Sequence, residues 1–345
     1  MNLLLIVDGG LVETLQASPL LRSLVAGLED ARVTVACSRA AAAVAAGMPK
    51  VVEALGMQAL EQGGATPGSL LRGWLALRRR RFDAAAVCSE GVVAPMLAYF
   101  AGIPRRAGVA SGLATLLLTD RVEREGHENR AATWLRLAPL IGVTEKLNSP
   151  AFDPGLAARM VAEQRLLASG FEDGRLLVAV APGNGFADAV PALSPRVLAW
   201  DPERYAHLCN QLSRRHGAGV VVLGTTEDRA YVDAMLMDVE SPPLDLCGEL
   251  GSLGEVAAVL ERCDLVVCGD SPLLHLAAAV GTQSVGLFGP TEGALRAPYG
   301  AEHRVVQAVS AAAEPVRGRP VRPRPSLAQI RVDDVMAGIE SPLQV

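Results

Sequence analysis

The stretch from Asp264 to Gly300 limits what this chain can fold into. Asp264-Leu-Val-Val-Cys268 is an apolar, β-branched run with the length of a buried parallel strand. Gly269-Asp270-Ser271-Pro272 follows, with Ser271 placed as an N-cap and Pro272 at the first helical position, where its missing N–H costs the helix nothing. The sequence predicts a short apolar helix over Leu273 to Val280, ended by Gly281, and a second strand over Ser284 to Phe288 that runs into Gly289-Pro-Thr291. Two such strands joined by a helix form a parallel crossover unit, which belongs to an α/β architecture.

This unit has a chemical consequence. In open α/β sheets ligands bind beyond the carboxyl ends of the strands, and a helix N-terminus offers amides and a partial positive charge to an anion. Ser271 and His275 are four residues apart and share a helical face near that end. A hydroxyl, an imidazole and backbone amides there suit a diphosphate. The same residues also have a purely structural reading, Ser271 as a cap and His275 as a packed core side chain.

At 345 residues the chain exceeds one ordinary core and reads as two domains of roughly 150 to 170 residues each. Half of the residues are hydrophobic, which excludes disorder, and a net charge of -5 argues against a nucleic-acid partner. Six scattered cysteines without a CxxC pair read as reduced, buried thiols of a cytoplasmic protein. Met1 to Val7 lacks a basic flank and meets Asp8 too early for a signal peptide, and charged residues or Pro interrupt the longest apolar runs, so no membrane span is expected.

Along the N-terminal half, strands are expected over Leu3 to Val7, Arg32 to Cys37 and Phe82 to Cys88, and helices over Ser18 to Leu28 and Leu70 to Arg81. Asp120 to Arg130 reads as a polar connection containing His127. The break between domains is expected in Leu147 to Pro154, giving domains over 1–150 and 151–329, with a terminal helix over 330–345 that packs back on the first. In the second half Leu176 to Ala181 is a strand that ends in Pro182-Gly-Asn184-Gly185, a turn able to cradle a phosphate. Gly224 to Asp228 is another strand-end turn, with Glu227 and Asp228 as acceptors for ribose hydroxyls or as ordinary first-turn acids. Gly248 to Ser252 is a turn, Ser252 to Glu255 has capping-box spacing, and Pro315 to Pro325 reads as an extended linker.

Gly269-Asp270-Ser271, His275-Leu-Ala-Ala278 and Gly286-Leu-Phe-Gly-Pro-Thr291 together resemble the C-terminal signature of glycosyltransferase family 9, the ADP-heptose:lipopolysaccharide heptosyltransferases. Arg81-Phe-Asp83, Ala101-Gly-Ile-Pro-Arg-Arg-Ala-Gly108 and Gln329-Ile-Arg-Val-Asp-Asp-Val335 are similar to other parts of that family, so the resemblance covers essentially the whole chain. It implies a GT-B fold, two Rossmann-like doubly wound domains facing across a cleft, with the acceptor on the first and the nucleotide sugar on the second. It further implies metal-independent inverting transfer from a nucleotide-sugar co-substrate, ADP-heptose, without any other cofactor. The acceptor would be a glycan, a glycolipid such as lipopolysaccharide core, or a small molecule, and peripheral membrane contact is among the expected partners. The family's base is an acid after the first strand; counting back from Pro19 places it at Glu13, with Asp8 the nearest alternative. Donor binding would fall to Asn184, Gly185, Arg196, Glu227, Asp228, Gly251, Asp270, Ser271, Leu273 and His275. Pro272 replaces the family's usual Gly and removes an amide, and Arg196 stands at uncertain register for the family's lysine. These departures leave two further readings open: an inert GT-B protein that binds a nucleotide or a protein partner, and another GT-B enzyme with a different nucleotide sugar.

Overall fold

The computed structural model describes residues 1–126, 128–144, 147, 149–171, 174–183, 200–300, 302–309, 314–316, 319–321 and 325–343. They form two compact units, Met1–Asp153 and Pro154–Val345.

The first unit is built on a parallel sheet of β1 (Asn2–Val7), β2 (Arg32–Cys37), β3 (Val51–Gly56), β4 (Ala84–Cys88), β5 (Arg105–Val109) and β6 (Asp120–Val122), in the order β3-β2-β1-β4-β5-β6. Leu3 to Val7 are wholly buried, as expected for a strand covered on both faces. The strand order reverses between β1 and β4, and ligands collect at such a switch point in doubly wound folds.

The expected helix over Ser18 to Leu28 begins much earlier. It spans Leu11–Gly27, with Pro19 inside it. Proline cannot donate to the carbonyl four residues back, which normally breaks a helix. Here the Ser18 hydroxyl donates to the Leu15 carbonyl at 2.6 Å and keeps that acceptor satisfied. Three more strands escaped the sequence reading, Arg105–Val109 beside β4 among them. Val51–Gly56 forms an edge strand, and Asp120–Val122, inside the expected polar connection, adds a strand beside β5.

The second unit repeats the design with β7 (Leu177–Ala181), β8 (Gly219–Val222), β9 (Leu244–Asp245), β10 (Leu265–Gly269), β11 (Gln283–Phe288) and β12 (His303–Gln307). Their order, β12-β11-β10-β7-β8-β9, puts its switch point between β7 and β10. The terminal helix, Val332–Leu343, belongs to this unit and not to the first. Val335, Met336 and Ile339 are buried in one core cluster with Trp200, Val285 and Leu287. The Trp200 indole N–H donates to the Ile330 carbonyl at 2.9 Å and fixes the approach to that helix. Within the segment expected to be an extended linker, Glu314–Val316 pairs antiparallel with Arg319–Val321.

All six cysteines are free and buried. Burial pushes the thiols of Cys37, Cys209 and Cys268 up to about 12, which keeps them protonated and unreactive. No described helix is long and apolar enough to cross a membrane.

Candidate active site

The switch point of the first unit carries a charged cluster. Asp8 follows β1 and Ser89 follows β4, and the Ser89 hydroxyl donates to Asp8 Oδ2 at 3.0 Å. Burial raises the Asp8 pKa above the ordinary aspartate value; the Ser89 bond lowers it, the nearby Glu13 charge raises it and Arg130 lowers it. Glu13 sits in the first turn of the Leu11–Gly27 helix, not in a loop before it. Its Oε2 accepts from the Gly10 amide at 2.9 Å, and its Oε1 accepts from Arg130 Nη1 at 2.6 Å. An acid at that position suits the helix dipole. Gly9 has φ +130°, and a Cβ there would lie 2.6 Å from Glu13 Cγ, so glycine makes room for the carboxylate. Glu90 accepts from Arg124 at 2.8 Å and lies 3.8 Å from Arg130, completing a network of three acids and two arginines.

In the second unit β10 ends at Gly269 and delivers Asp270 and Ser271 to the switch point. Ser271 is the N-cap of the Pro272–Val280 helix, and its hydroxyl accepts from the Leu273 amide at 3.1 Å. The Leu274 amide donates to the Ser271 carbonyl at 3.2 Å. With Pro272 lacking an N–H, the first three helical positions hold no uncommitted amide. Charge recognition at this end therefore rests on side chains. Ser271 and His275 are both buried, and Asp270 accepts from Arg296 Nε at 2.5 Å. Arg296 comes from the short helix Gly293–Arg296 after the Gly289-Pro-Thr291 turn. Gln307 on β12 holds that turn: its amide nitrogen donates to the carbonyls of Phe288, Gly289 and Thr291, and its oxygen accepts from the Gly293 amide.

Of the other expected donor residues, Glu227, Asp228 and Gly251 lie on the segments that follow β8 and β9. Asp228 is buried, its Oδ2 accepts from the Thr225 amide and hydroxyl, and a Cβ on Gly183 would lie 2.0 Å from its Oδ1. Those contacts close the turns after β7 and β8 against each other, which makes Asp228 a structural acid. Glu227 beside it is exposed and free to meet solvent-borne hydroxyls. The Gly251 amide donates to Glu255 Oε2 at 2.9 Å, so the capping acid reaches one residue beyond the expected Ser252. Asn184, Gly185 and Arg196 lie outside the described residues, as does His127. Among the described residues no group of three or more His, Cys, Asp or Glu side chains is arranged to hold a metal ion.

The family model of glycosyltransferase family 9 (heptosyltransferase) matches residues 70–322. The chain belongs to that family. Lipopolysaccharide heptosyltransferase 2 of Salmonella typhimurium is 26% identical over 320 residues, covering 90% of this chain and 89% of the relative. Lipopolysaccharide heptosyltransferase 3 of Escherichia coli K12 is 27% identical over 144 residues, 41% of each. Among solved structures, the family 9 glycosyl transferase of Veillonella parvula superposes with a TM-score of 0.80 at 18% identity, over 99% of this chain and 97% of that one. Escherichia coli ADP-heptose lps heptosyltransferase II gives 0.73 at 22% identity, over 100% and 99%. The fold is therefore GT-B, and this family 9 protein is a glycosyltransferase.

Arg130 and Arg296 are the site residues that sequence reasoning missed. Each neutralises a carboxylate far away in sequence, 117 residues from Glu13 and 26 from Asp270. Arg296 carried one usable signal, its place five residues beyond the Gly-Pro-Thr turn of the family signature.

Proposed function

We propose that this family 9 glycosyltransferase moves a heptosyl group from ADP-heptose to the saccharide core of a lipopolysaccharide in the cytoplasm, with inversion at the anomeric carbon. The observation that carries this reading is the correspondence of nine-tenths of the chain with a lipopolysaccharide heptosyltransferase 2. The chemistry of both switch points supports it.

In this account the acceptor hydroxyl gives its proton to Glu13 as its oxygen bonds to the anomeric carbon, while the bond from that carbon to the β-phosphate oxygen breaks and ADP leaves. Arg130 and the Gly10 amide orient the Glu13 carboxylate and leave lone pairs for the hydroxyl. Charge grows on the departing diphosphate. Arg296 and His275 meet that charge, Ser271 adds its hydroxyl, and Asp270 accepts from sugar hydroxyls. Glu227 accepts from the ribose.

One observation favours a second assignment of the base. Asp8 is the acid at this switch point whose burial raises its proton affinity, a property that suits proton abstraction near neutral pH.

Incubation with ADP-heptose and a lipopolysaccharide acceptor truncated at its core tests the reading. It predicts equal release of ADP and formation of heptosylated acceptor with inverted anomeric configuration. Transfer from a UDP- or GDP-sugar, with ADP-heptose untouched, would contradict it.

A further inference from the structure

Gln307 lies on β12, an edge strand of the second unit, and it is exposed. A long exposed side chain ordinarily stays free, because fixing it costs rotamer entropy. Gln307 is nevertheless tied to four backbone groups. Its amide nitrogen donates to the carbonyls of Phe288 at 3.1 Å, Gly289 at 2.9 Å and Thr291 at 3.2 Å, and its oxygen accepts from the Gly293 amide at 2.9 Å. Two N–H groups are thus shared among three acceptors, and no donor of this side chain is left over.

The bond to Gly293 starts a helix. Gly293 is the first residue of the Gly293–Arg296 helix, whose N-cap residue, Glu292, makes no side-chain cap bond. Gln307 supplies from a neighbouring strand what a capping residue supplies from within the chain. Val305, two residues earlier on the same face of β12, closes on the same point: a Cβ on Gly293 would lie 2.4 Å from Val305 Cγ1. Glycine at 293 lets the helix start rest directly on the strand.

Three residues further on, this helix delivers Arg296, whose Nε meets Asp270 Oδ2 at 2.5 Å. So short a helix has too few internal hydrogen bonds to hold its own geometry. The place of the guanidinium is therefore set from outside, by the strand under the first helical residue. The carbonyls of Phe288, Gly289 and Thr291 tie the preceding turn to the same side chain, so turn and helix share one anchor.

We propose that Gln307 is a positioning residue of the donor site, holding Arg296 where its guanidinium serves both Asp270 and the donor's diphosphate. The inference rests on the proposed role of Arg296 at that diphosphate.

Calorimetric titration of the full chain with ADP, in a double-mutant cycle of Gln307→Met and Arg296→Ala, tests it. Gln307→Met keeps the length of the side chain and removes all four hydrogen bonds. ADP should bind this variant about fivefold more weakly, a share of the roughly tenfold expected for losing the Arg296 contact itself. In the Arg296→Ala background the same substitution should change ADP affinity by less than about twofold, because the residue it acts through is already gone. The melting temperature should stay close to the parent value, since water can reach the freed carbonyls at this exposed position. Gln307→Val, which suits an edge strand and also removes the four bonds, carries the test if the methionine variant does not fold. Parent ADP affinity in the Gln307 variants, or an equal loss in both backgrounds, would overturn the proposal while leaving the role of Arg296 intact. Parent affinity in Arg296→Ala, or no ADP binding by the parent protein, would remove Arg296 from the diphosphate and overturn this inference with it.

Discussion

Arg296 Nε lies 2.5 Å from Asp270 Oδ2, and the two residues belong to different strand-end segments of the second unit. The Asp270 side chain is 8% exposed and the Arg296 side chain 43%. A carboxylate that secluded needs a cation or hydrogen-bond donors, and Arg296 keeps part of its guanidinium facing outward. One arginine thereby neutralises the acid after β10, and in the proposed reaction the same guanidinium would meet the donor's diphosphate.

Arg296→Ala should accordingly weaken ADP binding by roughly tenfold, the loss of one charge-assisted contact, and lower stability by about 1–2 kcal/mol through the unpaired Asp270. Calorimetric titration with ADP and a denaturant melt read the two effects separately. Arg296→Lys should recover part of the affinity, because it keeps the charge without the planar fork. Unchanged ADP affinity in Arg296→Ala would confine Arg296 to supporting Asp270.

Gly9→Ala should damage turnover while sparing the donor. Its φ of +130° disfavours any side chain, and the new Cβ would press on Glu13 Cγ from 2.6 Å. A displacement of the carboxylate on the order of 1 Å is expected to lower kcat about a hundredfold. ADP affinity should stay at the parent value because the proposed donor residues all lie on the second unit. Steady-state kinetics and ADP titration on the same preparation check both halves of the expectation.

His303 on β12 shapes the acid side of the stability profile. Its Nδ1 is 2.9 Å from the Ser284 hydroxyl, and burial lowers its pKa from 6.5 to about 4. The folded protein thus binds this proton less tightly than the unfolded chain does. Above about pH 6.5 the group is neutral in both states and contributes nothing. As pH falls from 6.5 towards 4 its protonation favours unfolding, by at most about 1.4 kcal/mol per pH unit before solvent screening. Below 4 its contribution is level. Urea midpoints across this range should fall less steeply for His303→Gln than for the parent; parallel profiles would show that the imidazole is not responsible.

Much of the second unit's site was legible in sequence because its chemistry is local. Ser271, Pro272 and Gly281 mark the two ends of a helix by capping and φ preference alone, and they lie where expected. Helix 11–27 was misread for an equally local reason. Pro19 ordinarily marks a helix start, but the Ser18 hydroxyl takes over the hydrogen bond that proline cannot make. Gly10, the true N-cap, offers no side-chain cap to read. The short edge strands β3 and β6 depend on pairing partners that no local pattern announces. Arg130 was invisible for the same physical reason: the sheet order sets what meets at a switch point, and sequence spacing does not encode it. The amides of Leu273 and Leu274 show the opposite limit. Capping chemistry predicted the helix correctly, yet the same cap consumes the donors that a phosphate would use.

The base assignment is the central claim, and Glu13→Gln tests it most directly. The substitution keeps the size of the side chain and one oxygen for the Gly10 amide, while removing the proton acceptor. Transfer from ADP-heptose measured under single-turnover conditions should fall about 10²–10⁴-fold, with ADP affinity and melting temperature close to the parent values. Asp8→Asn in parallel should retain most of the rate. Full-rate transfer by Glu13→Gln, with the loss appearing in Asp8→Asn instead, would contradict the account and move the base to Asp8.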